Sequence, residues 1–218
     1  MILAIYGTGG AGKETLQVSL DIKRAGAKWQ SIVFIDDTKP TGKFKGYEML
    51  PYVEFKEKYG TEKVEIHVAL GEVSSKRTVA QKMLADGYQL ATLVHPRAHI
   101  GKNVVIHPGA QIKMEAVIGD NAVIGIGSWI QAYTIIADSC RIGAFCQIGA
   151  KAVLGENCCI GDTVFVGMHA VISNNIEVQE DVIVGMGAWV NQDLQSYDTC
   201  IGNPCRVVSK DKNHRVFG

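Results

Sequence analysis

IGDNAVIGIGSWIQAYTIIADSCRIGAFCQIGAKAVLGENCCIG, residues Ile118 to Gly161, decides the fold because it repeats every six residues. Stepping by six from Ile100 meets Ile106, Ile112, Ile118 and so on to Val184 and Val190, sixteen positions that are Ile, Leu or Val without exception. Gly follows the aliphatic in nine cases, among them Gly119, Gly125, Gly143, Gly149 and Gly185. Two residues before the aliphatic the side chain is small, as at Ala110, Ala122, Ser128, Cys146 and Ala152. A period of six matches neither the α-helix nor the coiled coil. It does suit short strands with inward and outward positions. Three such strands make a coil of 18 residues, so the run predicts a parallel β-helix of just over five coils, about 25 Å tall. In this reading the aliphatics fill a three-sided prism and the glycines supply the turn conformation at its corners. A flat sandwich is disfavoured, since its turns seldom fall at a fixed six-residue pitch.

Before the prism the pattern is different. Residues 1–7 read as a buried strand, Glu14 to Ala25 as a helix, Ser31 to Asp37 and Ile66 to Glu72 as strands, Ser74 to Asp86 as a helix, and Leu90 to Val94 as a last strand. Alternating strands and helices predict a small Rossmann-like α/β domain over 1–93, followed by the all-β prism over 94–194 and a closing loop and tail over 195–218.

Composition narrows the function. Lys plus Arg and Asp plus Glu are both 22, so no basic excess points to nucleic acid. No run approaches a membrane span, and the first residues lack the basic start of a signal peptide, so a cytoplasmic protein without membrane contact is expected. The six cysteines include no CxxC pair. No metal site is expected, and the cysteines read as small core hydrophobes rather than disulfides.

Gly7, Gly9 and Gly12 spell GxGxxG between a strand and a helix, with Gly10 and Lys13 beside them. Backbone amides there suit a phosphate, and Asp36 and Asp37 at the end of the next strand suit ribose hydroxyls. A tight turn that only packs helix on strand is the competing reading. Glu14 stands where a P-loop needs Ser or Thr, so an NTPase is rejected, and a unit of about four strands without a catalytic domain does not suit a dehydrogenase.

The combination of YGTGGAGKE (Tyr6 to Glu14), FIDD (Phe34 to Asp37), LVHPRAHIG (Leu93 to Gly101), the hexads and IGNPCRVV (Ile201 to Val208) resembles the bacterial sugar O- and N-acetyltransferases with a left-handed β-helix, over nearly the whole chain. The resemblance implies a homotrimer that uses acetyl-CoA as co-substrate and a nucleotide sugar as acceptor. It puts Gly7, Gly9, Gly10, Gly12, Lys13, Asp36 and Asp37 at the nucleotide. Gly167, Gly185, Asn203, Pro204 and Arg206 fall near the coenzyme. The chain departs from the family at the chemistry. A His-carboxylate pair is usual where this sequence reads Ala132-Tyr133, and no histidine occurs between Pro108 and Met168. His169, 37 residues after Ala132, is the candidate replacement base, with His107 and His99 in the first coil as weaker ones and Tyr133 and Asp138 as further candidates. His95 is expected at the domain junction, His67 in the core and His214 in the tail. Without the usual base an amine acceptor is favoured over a hydroxyl, because it loses its proton more easily. An O-acetyltransferase and a non-catalytic trimer that binds nucleotide sugar or CoA are the alternatives.

Overall fold

The computed structural model describes residues 1–26 and 29–210; the expected polar tail with His214 lies outside the described residues. The N-terminal domain runs β1 (Ile2–Tyr6), α1 (Gly10–Arg24), β2 (Ser31–Ile35), β3 (Gly42–Phe44), β4 (Tyr47–Leu50), α2 (Tyr52–Lys58), β5 (Val64–Val68), α3 (Val73–Ala85) and β6 (Gln89–Leu90). Its sheet has the order β3-β4-β2-β1-β5-β6 and is parallel except for the β3–β4 hairpin. The central strands β1 and β2 are near-continuous apolar runs, as suits a sheet covered on both faces. The hairpin and α2 were not expected. Their signal is Lys45-Gly46, a turn with both residues at positive φ.

Leu93–Val94, expected as the last strand of this domain, is instead the first rung of the prism, because it pairs in parallel with Gln111–Ile112. From there three faces climb in steps of 18 residues. The first carries rungs at 93, 111, 129, 147, 165 and 183, the second at 99 to 189, and the third at 105 to 177. The second residue of each rung points inward. Ile118 pairs with Ile136 and Ile136 with Leu154, one above another, and all three are buried. The closing loop holds more order than expected. Asp198–Ile201 extends the first face in parallel and pairs antiparallel with Arg206–Lys210. The Asn203–Pro204 peptide in the turn between them is cis.

The corner chemistry corrects the reading of the glycines. The left-handed residue lies three positions after each aliphatic, at 103, 109, 115 and every sixth residue to 187, with φ between 56° and 75°. Asn, Asp and Gly suit that position, but Tyr133, Phe145, Lys151 and His169 occupy it too. The glycines directly after the aliphatics serve close approach. A Cβ on Gly161 would lie 2.6 Å from the Glu180 amide nitrogen of the next coil. The small position two before the aliphatic either fills the corner with Ala or caps a carbonyl 15 residues on: Ser128 Oγ donates to Gly143 O (2.7 Å), Thr134 Oγ1 to Gly149 O (2.9 Å), and Cys140 and Cys146 Sγ to Gly155 and Gly161 O (3.0 Å each). Cys200 and Cys205 depart from the expected thiols. Their Cα atoms are 5.7 Å apart across the closing hairpin and they form a disulfide.

The N-terminal domain docks on the first face. Its outward residues Leu93, Gln111 and Trp129 are all buried beneath it. Trp129 and Leu93 share a core cluster with Leu3, Ile5 and Leu16. Gln111 Nε2 donates to Thr15 Oγ1 (3.2 Å) across the junction. His95 sits at that junction as expected. Its Nδ1 accepts from the Arg97 amide, and Nε2 lies 3.4 Å from Asp21 Oδ2 on α1.

Candidate active site

Two clefts meet at the start of α1. The first holds about 740 Å³ and is lined by Tyr6, Gly7, Thr8, Gly9, Gly10, Ala11, Asp36, Asp37, Thr38 and neighbours from Ala69 to Val79. Gly7 must be glycine: its φ is +108°, and a Cβ would sit 2.7 Å from Ala69 O. Helix α1 starts at Gly10 with Gly9 as N-cap and no side chain capping it, so its first amides face the cleft. Asp36 accepts from Thr8 Oγ1 and from Thr38 N (3.0 Å) and Oγ1 (2.6 Å). Burial pushes its carboxyl up, but hydrogen bonds from Thr38 and Thr8 and the charge of Lys39 outweigh that and hold it below the usual range. Lys39 Nζ, 3.8 Å from Asp36, donates to Thr8 Oγ1 (2.5 Å). Asp37 accepts from Tyr6 OH and the Tyr52 amide, both 2.6 Å. Burial and Asp37 push the Tyr6 phenol up. Of the expected nucleotide residues, Gly7, Gly9, Gly10, Asp36 and Asp37 line this cleft; Gly12 packs under Gly7 and Lys13 is exposed outside the lining.

The second cleft, about 350 Å³, shares Gly10, Ala11 and Gly71 with the first and ends on the prism wall at Trp129, Gln131, Gln147, Gly149, Ala150, Phe165, Met168 and Met186. Among the described residues Glu14, on α1, is the only ionisable one in its lining. Glu14 is paired with Lys113 from the prism, and Lys113 Nζ also donates to Gln131 Oε1 (2.6 Å). Two buried polar atoms of the lining, Trp129 Nε1 and Gln147 Oε1, have no hydrogen-bond partner among the described residues.

This corner of the prism differs from the others in one respect. Two residues after the aliphatic, the amide points at the side chain one coil up. On the other two corners a side-chain oxygen receives it in several coils: Lys102 N donates to Asp120 Oδ1 (2.7 Å), Asp120 N to Asp138 Oδ1 (2.8 Å), Ala144 N to Asp162 Oδ1 (2.7 Å) and Glu156 N to Asn174 Oδ1 (3.1 Å). On the cleft corner the column reads Met114, Ala132, Ala150, Met168, Met186, with no such oxygen. Among the described residues nothing accepts from the amides of Ala132 and Ala150.

Ala132 belongs to this column. His169 falls in the next one, with Tyr133, Lys151 and Gly187, because 37 is one more than two coils. It is exposed and lines neither cleft, and neither does His107, near the other end of the first face. His67 is buried as expected: its Nδ1 is 2.9 Å from Ala91 O, and burial pushes the ring down to about 4. Gly167 and Gly185 continue the column of Gln131 and Gly149 towards the closing hairpin, where Asn203, Pro204 and Arg206 are exposed. Glu14, Lys113 and the uncapped amides escaped the sequence reading, since each depends on a contact between residues a coil or a domain apart. Among the described residues no group of His, Cys, Asp or Glu could hold a metal ion, and no helix is long and apolar enough to cross a membrane.

Comparison with known proteins agrees with both halves. Residues 2–83 match the PglD N-terminal domain model and residues 89–185 the GMPPB C-terminal domain model. The GDP-perosamine N-acetyltransferase of Escherichia coli O157:H7 is 27% identical over 120 residues; the match spans 51% of this chain and half the length of that relative. The acetyltransferase domain of PglB from Neisseria gonorrhoeae FA1090, solved with acetyl coenzyme A, superposes with a TM-score of 0.88 at 26% identity, over 95% of this chain and 98% of that one. The perosamine N-acetyltransferase of Caulobacter crescentus, solved with CoA and GDP-perosamine, shares the fold, with a TM-score of 0.87 at 21% identity over 96% and 98% of the two chains. With a PglD-type domain docked on a hexapeptide-repeat prism, the chain has the two-domain build of the bacterial sugar acetyltransferases.

Proposed function

We propose that the protein transfers the acetyl group of acetyl-CoA to the amino group of a nucleotide-linked amino sugar, as a cytoplasmic homotrimer. The carrying observation is the continuity of the two clefts. A ligand with its pyrophosphate on the α1 amides and its ribose near Asp36 and Asp37 reaches, with its sugar, the prism wall at Gln131, Gln147 and Ala150. The acyl donor comes from the other side, along the column of Gly149, Gly167 and Gly185 and past Asn203, Pro204 and Arg206. A thioester is already activated, so the protein's part is to hold nitrogen and carbonyl together and to stabilise the oxyanion. The uncapped amides of Ala132 and Ala150 supply donors fixed by the coil, at no cost of reorganisation during the reaction. The names of the relatives, N-acetyltransferases of perosamine, support an amine acceptor.

The trimer is supported by the outward residues of the second face. Val117, Ile135, Val171 and Trp189 form an exposed apolar column of the kind that subunits cover. Among the described residues no histidine lines either cleft, which favours one second reading, a trimer that binds these ligands without transfer. Purified protein with acetyl-CoA and a panel of nucleotide amino sugars separates the two. Free CoA appearing in step with N-acetylated sugar supports the transferase; binding of both ligands without thiol release supports the second reading.

A further inference from the structure

Among the described residues no histidine lines the prism wall of the second cleft, yet one carboxylate reaches it. We propose that Glu14 receives the acceptor's amine and takes its proton, a role that rests on the transferase reading above. Glu14 leaves α1 one turn past the glycine loop, so it stands between the nucleotide cleft and the prism wall. One oxygen, Oε2, is held by Lys113; the other has no partner among the described residues and is open to a ligand. Lys113 is almost wholly buried, is fixed again by Gln131 and lies 5.8 Å from the centre of the Trp129 ring. A buried cation needs a counter-charge, and this one aims the carboxylate across the domain junction at the wall. Gln147 Oε1, buried and unpartnered in the same cleft, is a second acceptor suited to an N–H donor. A carboxylate and an amide oxygen together select an ammonium over a hydroxyl.

The acceptor enters as R–NH3+, Glu14 accepts one proton, and the lone pair so freed on R–NH2 then forms the C–N bond to the thioester carbonyl. The C=O pair moves to oxygen, where the Ala132 and Ala150 amides meet it. The oxyanion then re-forms the carbonyl and the C–S bond breaks. The thiolate takes the second proton from nitrogen and leaves as CoA–SH. Glu14 returns its proton to water, for which its largely exposed side chain is placed. A weak base is adequate because the following attack draws the proton transfer forward, and the second proton is strongly acidic once the C–N bond has formed.

The test uses the full chain and its E14Q and E14D variants. Gln keeps an oxygen for Lys113, so the fold should hold, which a thermal melt checks. Turnover of the amino-sugar nucleotide should fall about 100-fold in E14Q, and E14D should recover part of it. Independently of turnover, calorimetry compares a nucleotide amino sugar with its hydroxy counterpart. Wild type should favour the amine by about ten-fold and E14Q should lose that preference. A wild type that binds but transfers nothing would remove the transferase reading, and the affinity ratio would still decide Glu14's contact. An E14Q turnover within about three-fold of wild type, or an unchanged amine preference, overturns the proposal.

Discussion

The indole of Trp129, on the prism, stacks on the imidazole of His67, on β5, with centroids 5.8 Å apart and planes inclined by 15°. Lys76 of α3 completes the contact, its Nζ buried without a hydrogen bond among the described residues and 4.9 Å from the indole centre. One side chain thus joins the nucleotide domain to the wall of the second cleft. Trp129→Ala should cost about 3–5 kcal/mol in a denaturant titration, through the cavity it leaves. A cost under about 1 kcal/mol would show that the domains do not rely on this contact.

His67 gives that junction a pH dependence. The ring is held neutral in the fold down to about 4, while the unfolded chain takes up its proton near 6.5. Between those values the unfolded state binds more protons, so stability is lost as pH falls from 6.5 to 4. The loss attributable to His67, read as the difference between wild type and His67→Gln, should be on the order of 3 kcal/mol. Parallel curves for the two proteins would contradict it.

Lys76 should behave in the opposite sense to an ordinary lysine. Burial pushes it down to about 7, so its ammonium destabilises the fold at neutral pH and below, and the penalty fades as pH rises towards 10.5. Lys76→Met should therefore stabilise the protein at pH 7 by about 1–4 kcal/mol, with a smaller gain at high pH. A destabilised variant would mean that the amine has a partner the structure does not show.

The prism was legible because its rule is local: every sixth residue is aliphatic, and no packing knowledge is needed to see it. The roles inside the hexad were less so. Sequence shows a glycine after the aliphatic but not that its missing Cβ admits the next coil, nor that the left-handed corner lies two residues later. Gly161→Ala should cost several kcal/mol by forcing the coils apart, whereas Lys151→Asn at a corner with φ 59° should be neutral or gain about 0.5–1 kcal/mol. The reverse order in thermal melts would restore the first reading.

The site was half legible. The glycine loop and Asp36-Asp37 announce themselves by spacing, whereas Glu14 and Lys113 are 99 residues apart and meet only through docking. A count of 37 placed His169 on the right corner but one column away from the wall. The free amides are legible only by contrast with the capped corners, and that contrast can be tested. Met168→Asn and Ala150→Asn each place a carbonyl oxygen over the amide one coil below. Each should leave stability unchanged or raised, and the one that covers the oxyanion donor should lower turnover by about 100-fold. Full activity in both would place the oxyanion elsewhere.

The central claim is that the acceptor's nitrogen lies where the N-terminal domain meets the prism. A crystal structure with CoA and a nucleotide amino sugar locates it directly. The account predicts the pyrophosphate at the Gly9–Gly10 amides and the amino nitrogen within hydrogen-bond reach of Glu14, with the thiol of CoA near the Ala150 amide. Density that put the sugar outside the cleft lined by Glu14, Gln147 and Ala150 would contradict it.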